Sequence, residues 1–559
     1  MPLGKKDTLF RSTKISYIDF KTLHMDRVLT AFFARLQHDG ATSRLTRNFE
    51  LTTERFFQEF TTKKELCIGF EENRDIVEKW IETHLMDVVN RGKPTQAIAA
   101  PRPLHGFTYR FRNPKHSRDY NASQHLYWMF YYARNNKGGA ALAELKRFFF
   151  AGVDPQTGQL ENTSSVDVET QALLRFSEQV KDAKDTSGKD DRYPPLCVGQ
   201  ADLMADDVLR IMAYQRYIPR SVMVEYLKIL LSFHLALFHL RLFKLLPALV
   251  KKQTPEPLCE EKHCPVSPTD SLNPYRECPY KIGLLVDVAN QPLTHMWALA
   301  AQSAETHYRR IPAFVKAHFV CKKLDEFAEY MSTVSAARKS PLKVGEMLPL
   351  LGPKHKAERD AFFKERLARV YQDLTRGGDE EVPPDIQAIL DLGLDPFETY
   401  IEILLAHRAK YHRGYITDFL DSVLMKNDPG AMVAQSRTKG AARRFILDSR
   451  LLEVLIQIAV LRQVSGRGEF YTSSDVRIEE LLDFLKERYG IFIDRLPLGD
   501  GFGSETITDR EALRANTEAF KARLRELGFY RDLSDAYIVQ TVKPRHELKA
   551  EGMPAGGLL

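Results

Sequence analysis

The sequence predicts a mainly α-helical, multi-domain protein with few short strands and a winged-helix-like unit towards its C-terminus. Three observations carry that prediction. Apolar residues recur at helical spacing through nearly all of the 559 residues. Strand-like alternation is short and rare. The best-formed stretch, 444–548, reads as three helices followed by a strand. Hydrophobic content of 44% and charged content of 28% supply material for more than one core. At roughly 150 residues per domain, the length suggests about three or four domains.

Val28, Leu29, Phe32, Phe33 and Leu36 define the first helical face. Over 73–89 the pattern continues through Ile76, Trp80, Ile81 and Leu85, predicting another helix. Next comes "FTYRFRNPKHSRDYNASQHLYWMFYYARNNK", residues 107–137. Arginines neutralise phosphates and aromatic rings stack on bases, so Arg110 and Arg112 are candidate nucleic-acid contacts. The competing reading is a strand-like edge with solvated arginines, followed by a buried aromatic helix holding His125, Tyr127, Trp128, Phe130 and Tyr131. Two polar stretches rich in Gly and Pro, 181–195 and 375–385, predict domains at 1–180, 196–374 and 386–549. The most apolar run, "ILLSFHLALFHL" (229–240), is bracketed by Lys228, Arg241 and Lys244. A membrane span needs about 20 apolar residues. The run therefore predicts a buried core helix, with His234 and His239 as satisfied core residues and no membrane partner. Short strands are expected at "GLLVDV" (283–288) and "AYIVQTV" (536–542).

"CEEKHCPVSPTDSLNPYREC" (259–278) holds three of the six cysteines. Cys259, His263, Cys264 and Cys278 form a Cys3His set, a known solution for one structural zinc ion. Four prolines stand among or beside them, and such a loop buries little apolar surface, so a metal would supply folding energy. Neither pair has tight C-x2-C spacing, and the competing reading is free thiols in an exposed loop. So few cysteines in so long a chain form no disulfide framework, which points to a reducing cytoplasm. The net charge of +6 is too mild to indicate a polyanion partner by itself.

In the C-terminal unit, the first helix carries Leu451, Leu452, Leu455, Ile458 and Leu461. The second starts near Ser473 or Ser474 and carries Ile478, Leu481, Leu482 and Leu485. Thr508 and Glu511 are spaced as a capping box for the third. That helix carries Leu513, Thr517, Phe520, Leu524 and Leu527, and Gly528 sits where its C-cap wants positive φ. In winged-helix domains the third helix enters the DNA major groove. Here it would offer Arg510, Arg514, Lys521, Arg523 and Arg525, with Arg437, Lys439, Arg443 and Arg444 upstream. The long gap holding "PLGDGFGSE" departs from the short turn of a helix-turn-helix. Many winged helices dock proteins only, so DNA and partner subunits both stay open. Gly499, Gly501 and Gly503 lack a following Lys-Ser/Thr and read as a flexible loop, not a phosphate cradle.

No catalytic motif stands out. P-loop, H-E-x-x-H and G-x-S-x-G patterns are absent. Asp287, with Asn290 and His295 nearby, is one carboxylate where two-metal chemistry needs several. Arg408 and His412 would suit acid–base cleavage of RNA, against the plainer reading of a polar helix surface.

"RRFILDSRLLEVLIQIAVL", "LLDFLKERYGIFID" and "FKARLRELGFYRDLSDAYIVQTVKPR" resemble the tail of a non-enzymatic component of bacterial anti-phage operons. The family is the seventh, accessory protein of methylation-associated defence systems. A restriction-complex subunit of phosphorothioation-dependent systems is similar in kind. The resemblance covers about a hundred residues and no diagnostic motif. It implies a cytoplasmic bacterial protein beside a DNA methyltransferase, ATPases and a kinase-like partner, with no catalytic residues. The expected function is a non-catalytic subunit of a defence complex that binds DNA, other subunits or both. The alternatives are a nuclease with a dispersed site and a purely structural scaffold.

Overall fold

The computed structural model describes residues 4, 7–46, 52–61, 68–153, 167–179, 184–188, 192–256, 259, 263–266, 274–275, 277–334, 342–375, 383–438, 440–464, 470–530 and 540–549. Helices carry most of them, as the periodicity predicts. The 33-residue helix Arg220–Lys252 is the central post. It is long and apolar enough to cross a membrane, yet 94% of its most apolar window is buried inside the protein. From Ile229 to Phe243 every residue is buried. A helix apolar on all sides needs neighbours on all sides. Met25–Gln37, Val198–Met212, Ile311–Val334, Pro396–Val423 and Ser449–Ala459 provide them. The expected core histidines are buried and bonded through ring nitrogens. His239 Nδ1 lies 2.7 Å from the Leu235 carbonyl, Ser16 Oγ lies 3.2 Å from its Nε2, and the Gln200 amide reaches His234 Nδ1 at 2.8 Å.

The strands are short, and among the described residues every sheet is a two-stranded ribbon. One ribbon has architectural weight. Leu284–Leu285 pairs in parallel with Ile491–Phe492, so the predicted strand at 283–288 fastens the C-terminal unit onto the middle of the chain. Gly490 enters this ribbon at φ +77°, and a Cβ there would stand 2.0 Å from the Ile282 carbonyl oxygen, so only glycine fits. Asn516 closes the junction from the third helix. Its amide donates to the Val286 and Ile493 carbonyls, both at 2.9 Å, and its Oδ1 accepts from Val288 N at 2.8 Å.

Several local expectations shift. Residues 73–89 are not one helix: Arg74–Trp80 passes through the π-helical turn Ile81–Leu85 into the strand Met86–Val89, which pairs with Ala97–Pro101. The edge foreseen near 107–112 is the 3-10 turn Gly106–Phe111, followed by the aromatic helix Ala122–Tyr132, which buries His125, Tyr127, Trp128 and Phe130 but leaves Tyr131 exposed. Part of the proposed boundary at 181–195 is the strand Lys184–Gly188, paired with Thr42–Thr46. Residues 181–183, 189–191 and 376–382 of the two boundaries lie outside the described residues. Ser473 ends the strand Phe470–Ser473, and the second C-terminal helix starts later, as Ile478–Phe484. The third helix is Ile507–Glu526, capped by Thr506 and Asp509 in place of Thr508 and Glu511. Both pairs have capping-box spacing; in the fold Thr506 Oγ1 accepts from Asp509 N at 3.2 Å and Asp509 Oδ2 accepts from Thr506 N at 2.9 Å. Gly528 has φ +76°, as its C-cap position requires. The last expected strand is seen at Thr541–Val542, paired with Val476–Arg477; residues 536–539 lie outside the described residues.

Candidate functional site

The third C-terminal helix buries Leu513, Asn516, Phe520 and Leu524 and packs against His295–Tyr308. At 100° per residue, Arg510, Arg514, Lys521 and Arg525 fall within an arc of roughly 60° beside that buried face. Arg510, Arg514 and Arg525 are exposed. Arg510 stands 3.7 Å from Glu505, Lys521 pairs with Glu518 at 2.9 Å, and the Arg525 guanidinium lies over the Tyr530 ring. Arg523 is off the stripe. It donates to Ser449 Oγ at 2.7 Å and pairs with Glu526 at 3.3 Å. Of the upstream arginines, Arg437 is exposed, while Arg443 and Arg444 bind neighbours within the fold. Arg443 makes a bidentate pair with Asp421 at 2.8 and 2.9 Å, while Arg444 donates to Asn290 and lies over Trp297. Lys439 lies outside the described residues. The sequence brought eleven arginines and lysines forward at or beside candidate nucleic-acid contacts. The fold sets four of them along one helix face.

Arg110 and Arg112 lie over the rings of Phe107 and Tyr109, 4.3 and 6.0 Å from the centroids. Arg112 also lines a groove of about 580 Å³ with Lys21, Arg35 and Arg118. Asp19 and Asp119 share that groove, so its charge is mixed.

The cysteine loop folds against the start of the helix Val198–Met212. Arg134 holds it there, donating to the Cys264 and Val266 carbonyls at 2.8 and 2.7 Å while its Nε pairs with Asp202 at 2.8 Å. Gly199 permits the approach, because a Cβ would stand 2.5 Å from that of Val266. Tyr275 donates to Gln200 Oε1 at 2.9 Å. Cys259, Cys264 and Cys278 face a small chamber together with Cys197, which caps the same helix. His263 is exposed. Burial pushes the Cys197 thiol up to about 12 and raises the Cys259 and Cys264 thiols as well. Among the described residues, no three His, Cys, Asp or Glu side chains stand close enough together to hold a metal ion. Cys197 is the member that local spacing could not reveal.

A buried ionic hub follows along the same helix. Arg488 reaches Asp206 Oδ2 at 2.6 Å and Asp207 Oδ1 at 2.5 Å. Lys137 donates to Asp206, Arg210 reaches it at 2.8 Å, and Tyr489 donates to Asp207 at 2.8 Å. Burial alone would raise both carboxylates. The cations around Asp206 outweigh that and hold it well below the usual range, and Arg488 with His234 does the same for Asp207. The available signal was three aspartates, at 202, 206 and 207, in a helix that is wholly buried.

Asp287, His295 and His412 each make a contact within the fold. Asp287 closes its own turn, accepting from Asn290 N at 2.9 Å. His295 pairs with the capping Asp509 at 2.7 Å. His412 stacks on Phe10 with centroids 4.1 Å apart, and burial lowers its pKa to about 4. In the glycine loop, Asp500 pairs with Arg310 at 2.6 Å and Lys244 at 3.3 Å and accepts from Gly283 N at 2.7 Å. An inward carboxylate makes that loop a clamp, where a phosphate site would want donors.

Comparison with known proteins adds the wider frame. A family model described as "Methylation-associated defense system protein MAD7" matches residues 5–546. None of the curated proteins matches the chain.

Proposed function

The chain belongs to the MAD7 family of methylation-associated defence proteins, and from that premise we propose that it is a non-catalytic subunit that binds DNA beside other subunits in the bacterial cytoplasm. The supporting observation is the stripe of Arg510, Arg514, Lys521 and Arg525 on the Ile507–Glu526 helix. Cations repeated along one helix face match the spacing of backbone phosphates, and such contacts act through counterion release. The winged-helix-like arrangement of this region is part of the same reading. The test is duplex DNA binding by the whole protein at rising salt. Binding should fall steeply between about 50 and 200 mM salt. Replacing Arg510, Arg514 and Arg525 together with alanine should flatten that slope by about 3. Unchanged binding would remove the helix from the interface, and no binding at low salt would leave a docking or scaffold role. Cleavage of DNA or RNA with Mg²⁺ or Mn²⁺ present would replace the reading with a nuclease.

A further inference from the structure

The chamber beside Cys197 contains an electrostatic problem that the protein chain does not solve. Arg241 lies in the middle of the central helix and is 1% exposed. A guanidinium stays protonated at any physiological pH. Its Nε and Nη1 are buried without a hydrogen-bond partner, and no carboxylate among the described residues pairs with it. The guanidinium carbon lies 3.8 Å from the centroid of the Tyr275 ring. An isolated charge in such a place is costly enough that proteins almost always pair it. Arg241 lines the same chamber as Cys197, Cys259, Cys264 and Cys278. Four thiols and one orphaned cation therefore share a cavity of about 20 Å³, room for one ion and little else.

We propose that Cys197, Cys259, Cys264 and Cys278 bind a single zinc ion as a closed tetrathiolate, with Arg241 as its buried counter-charge. Zn²⁺ replaces four S–H protons, which leave to solvent. Four Zn–S bonds form and nothing is oxidised. The resulting centre carries a net charge of −2, which supplies the anion that Arg241 lacks. The start of the Val198–Met212 helix favours the same sign of charge. The backbone is already held in place: Arg134 fixes Cys264 and Val266, Tyr275 ties the loop to Gln200, and Lys244 donates to the Lys281 carbonyl at 2.8 Å. Among the described residues no three of these side chains yet converge on one point, so ligation requires the thiols to turn inwards to about 2.3 Å from the metal. Exposed His263 takes no part. With all four positions filled by protein, the site is structural, and it staples the proline-rich loop to the two helices that carry Cys197 and Arg241.

The experiment is metal analysis of the full-length protein, purified without chelator, beside Cys197→Ser and His263→Ala variants. One zinc per chain is expected in the parent and in His263→Ala, and loss of zinc in Cys197→Ser. Loss in His263→Ala with retention in Cys197→Ser would overturn the tetrathiolate and favour a Cys3His site. No zinc in the parent protein, even after refolding with zinc, would overturn the site altogether. If Cys197→Ser proves insoluble, zinc-edge X-ray absorption of the parent protein reads the shell directly. Four sulfur neighbours are expected, and three sulfurs with one nitrogen would refute the assignment.

Discussion

Two buried guanidiniums flank the helix Val198–Met212, and they are treated in opposite ways. Arg488 is fully buried and meets two carboxylates within 2.6 Å. Arg241 is almost as buried and lies over an aromatic ring in a chamber that four cysteines also line. The first site is charge-compensated within the protein: Lys137, Arg210, Tyr489 and His234 surround its carboxylates, although Arg488 Nη1 is itself buried without a hydrogen-bond partner. It ties together residues from the N-terminal, middle and C-terminal parts of the chain. The second site has the enclosure of a finished core without the compensating charge. Burial of an ion is tolerable when its partner is buried with it, so the contrast separates a junction the chain closes alone from one that calls for an added ion.

The largest effect should come from breaking the finished site. Arg488→Met strands Asp207 and weakens the neutralisation of Asp206, and removing one partner from a buried pair costs about 3–5 kcal/mol. Denaturant unfolding should show a large fall in midpoint, or the soluble yield should collapse. A variant with the parent's midpoint would mean that the hub does not hold the three parts together.

Arg241→Met sharpens the contrast by giving opposite signs in two conditions. With zinc withheld, methionine removes an uncompensated charge and should stabilise the fold by about 1 kcal/mol or more. With zinc supplied, it removes the counter-charge and should lower both zinc affinity and the thermal midpoint. The same sign in both conditions would separate Arg241 from the metal.

The pH dependence tests the remaining buried ionisable groups. Burial lowers His239 and His307 to about 4, and His105 and His318 to about 3, against an ordinary value of 6.5. As pH falls from 6.5 towards 4, the unfolded chain takes up protons that the folded protein refuses, so stability drops through that window. A loss of up to about 2.5 kcal/mol for each histidine held neutral is expected between pH 7 and 4.5, read from urea midpoints. The hub behaves differently. Asp206 and Asp207 are depressed in the folded state, so their contribution is intact across that window and fades only below the ordinary carboxylate value of 3.8. A midpoint that stays flat to pH 4.5 would show that the histidines are not held neutral.

The smallest effect concerns the start of the basic helix. Thr506→Ala should cost about 1 kcal/mol, the worth of an N-cap, and Thr508→Ala less than about 0.5 kcal/mol. Equal losses would contradict the observed cap.

These cases also mark how far reading the chain could go. Val28, Leu29, Phe32, Phe33 and Leu36 are all buried on one helix, and the run at 229–240 is a core helix, because periodicity and apolar length are local properties. The cap of the third helix was ambiguous because Thr506–Asp509 and Thr508–Glu511 obey the same local rule. The strand Met86–Val89 escaped because apolar spacing over 73–89 fits a helix, while its partner Ala97–Pro101 lies beyond a turn. Among the arginines, residue type could not separate Arg443, bound to Asp421, from Arg514 on the exposed face.

The sequence by itself determined the helical class, the buried central post, the loop where cysteines concentrate and the helix where cations recur. Each follows from spacing along one segment, where side chains a few residues apart must share a face. Only the tertiary structure decided which of those residues meet. Cys197 joins the loop cysteines, Arg488 joins Asp206 and Asp207, and Ile491–Phe492 pairs with Leu284–Leu285. Such contacts close long loops, whose entropy cost grows only slowly with the number of intervening residues. Chain separation therefore says little about which distant groups pair, and charge, burial and shape select them once the helices have packed.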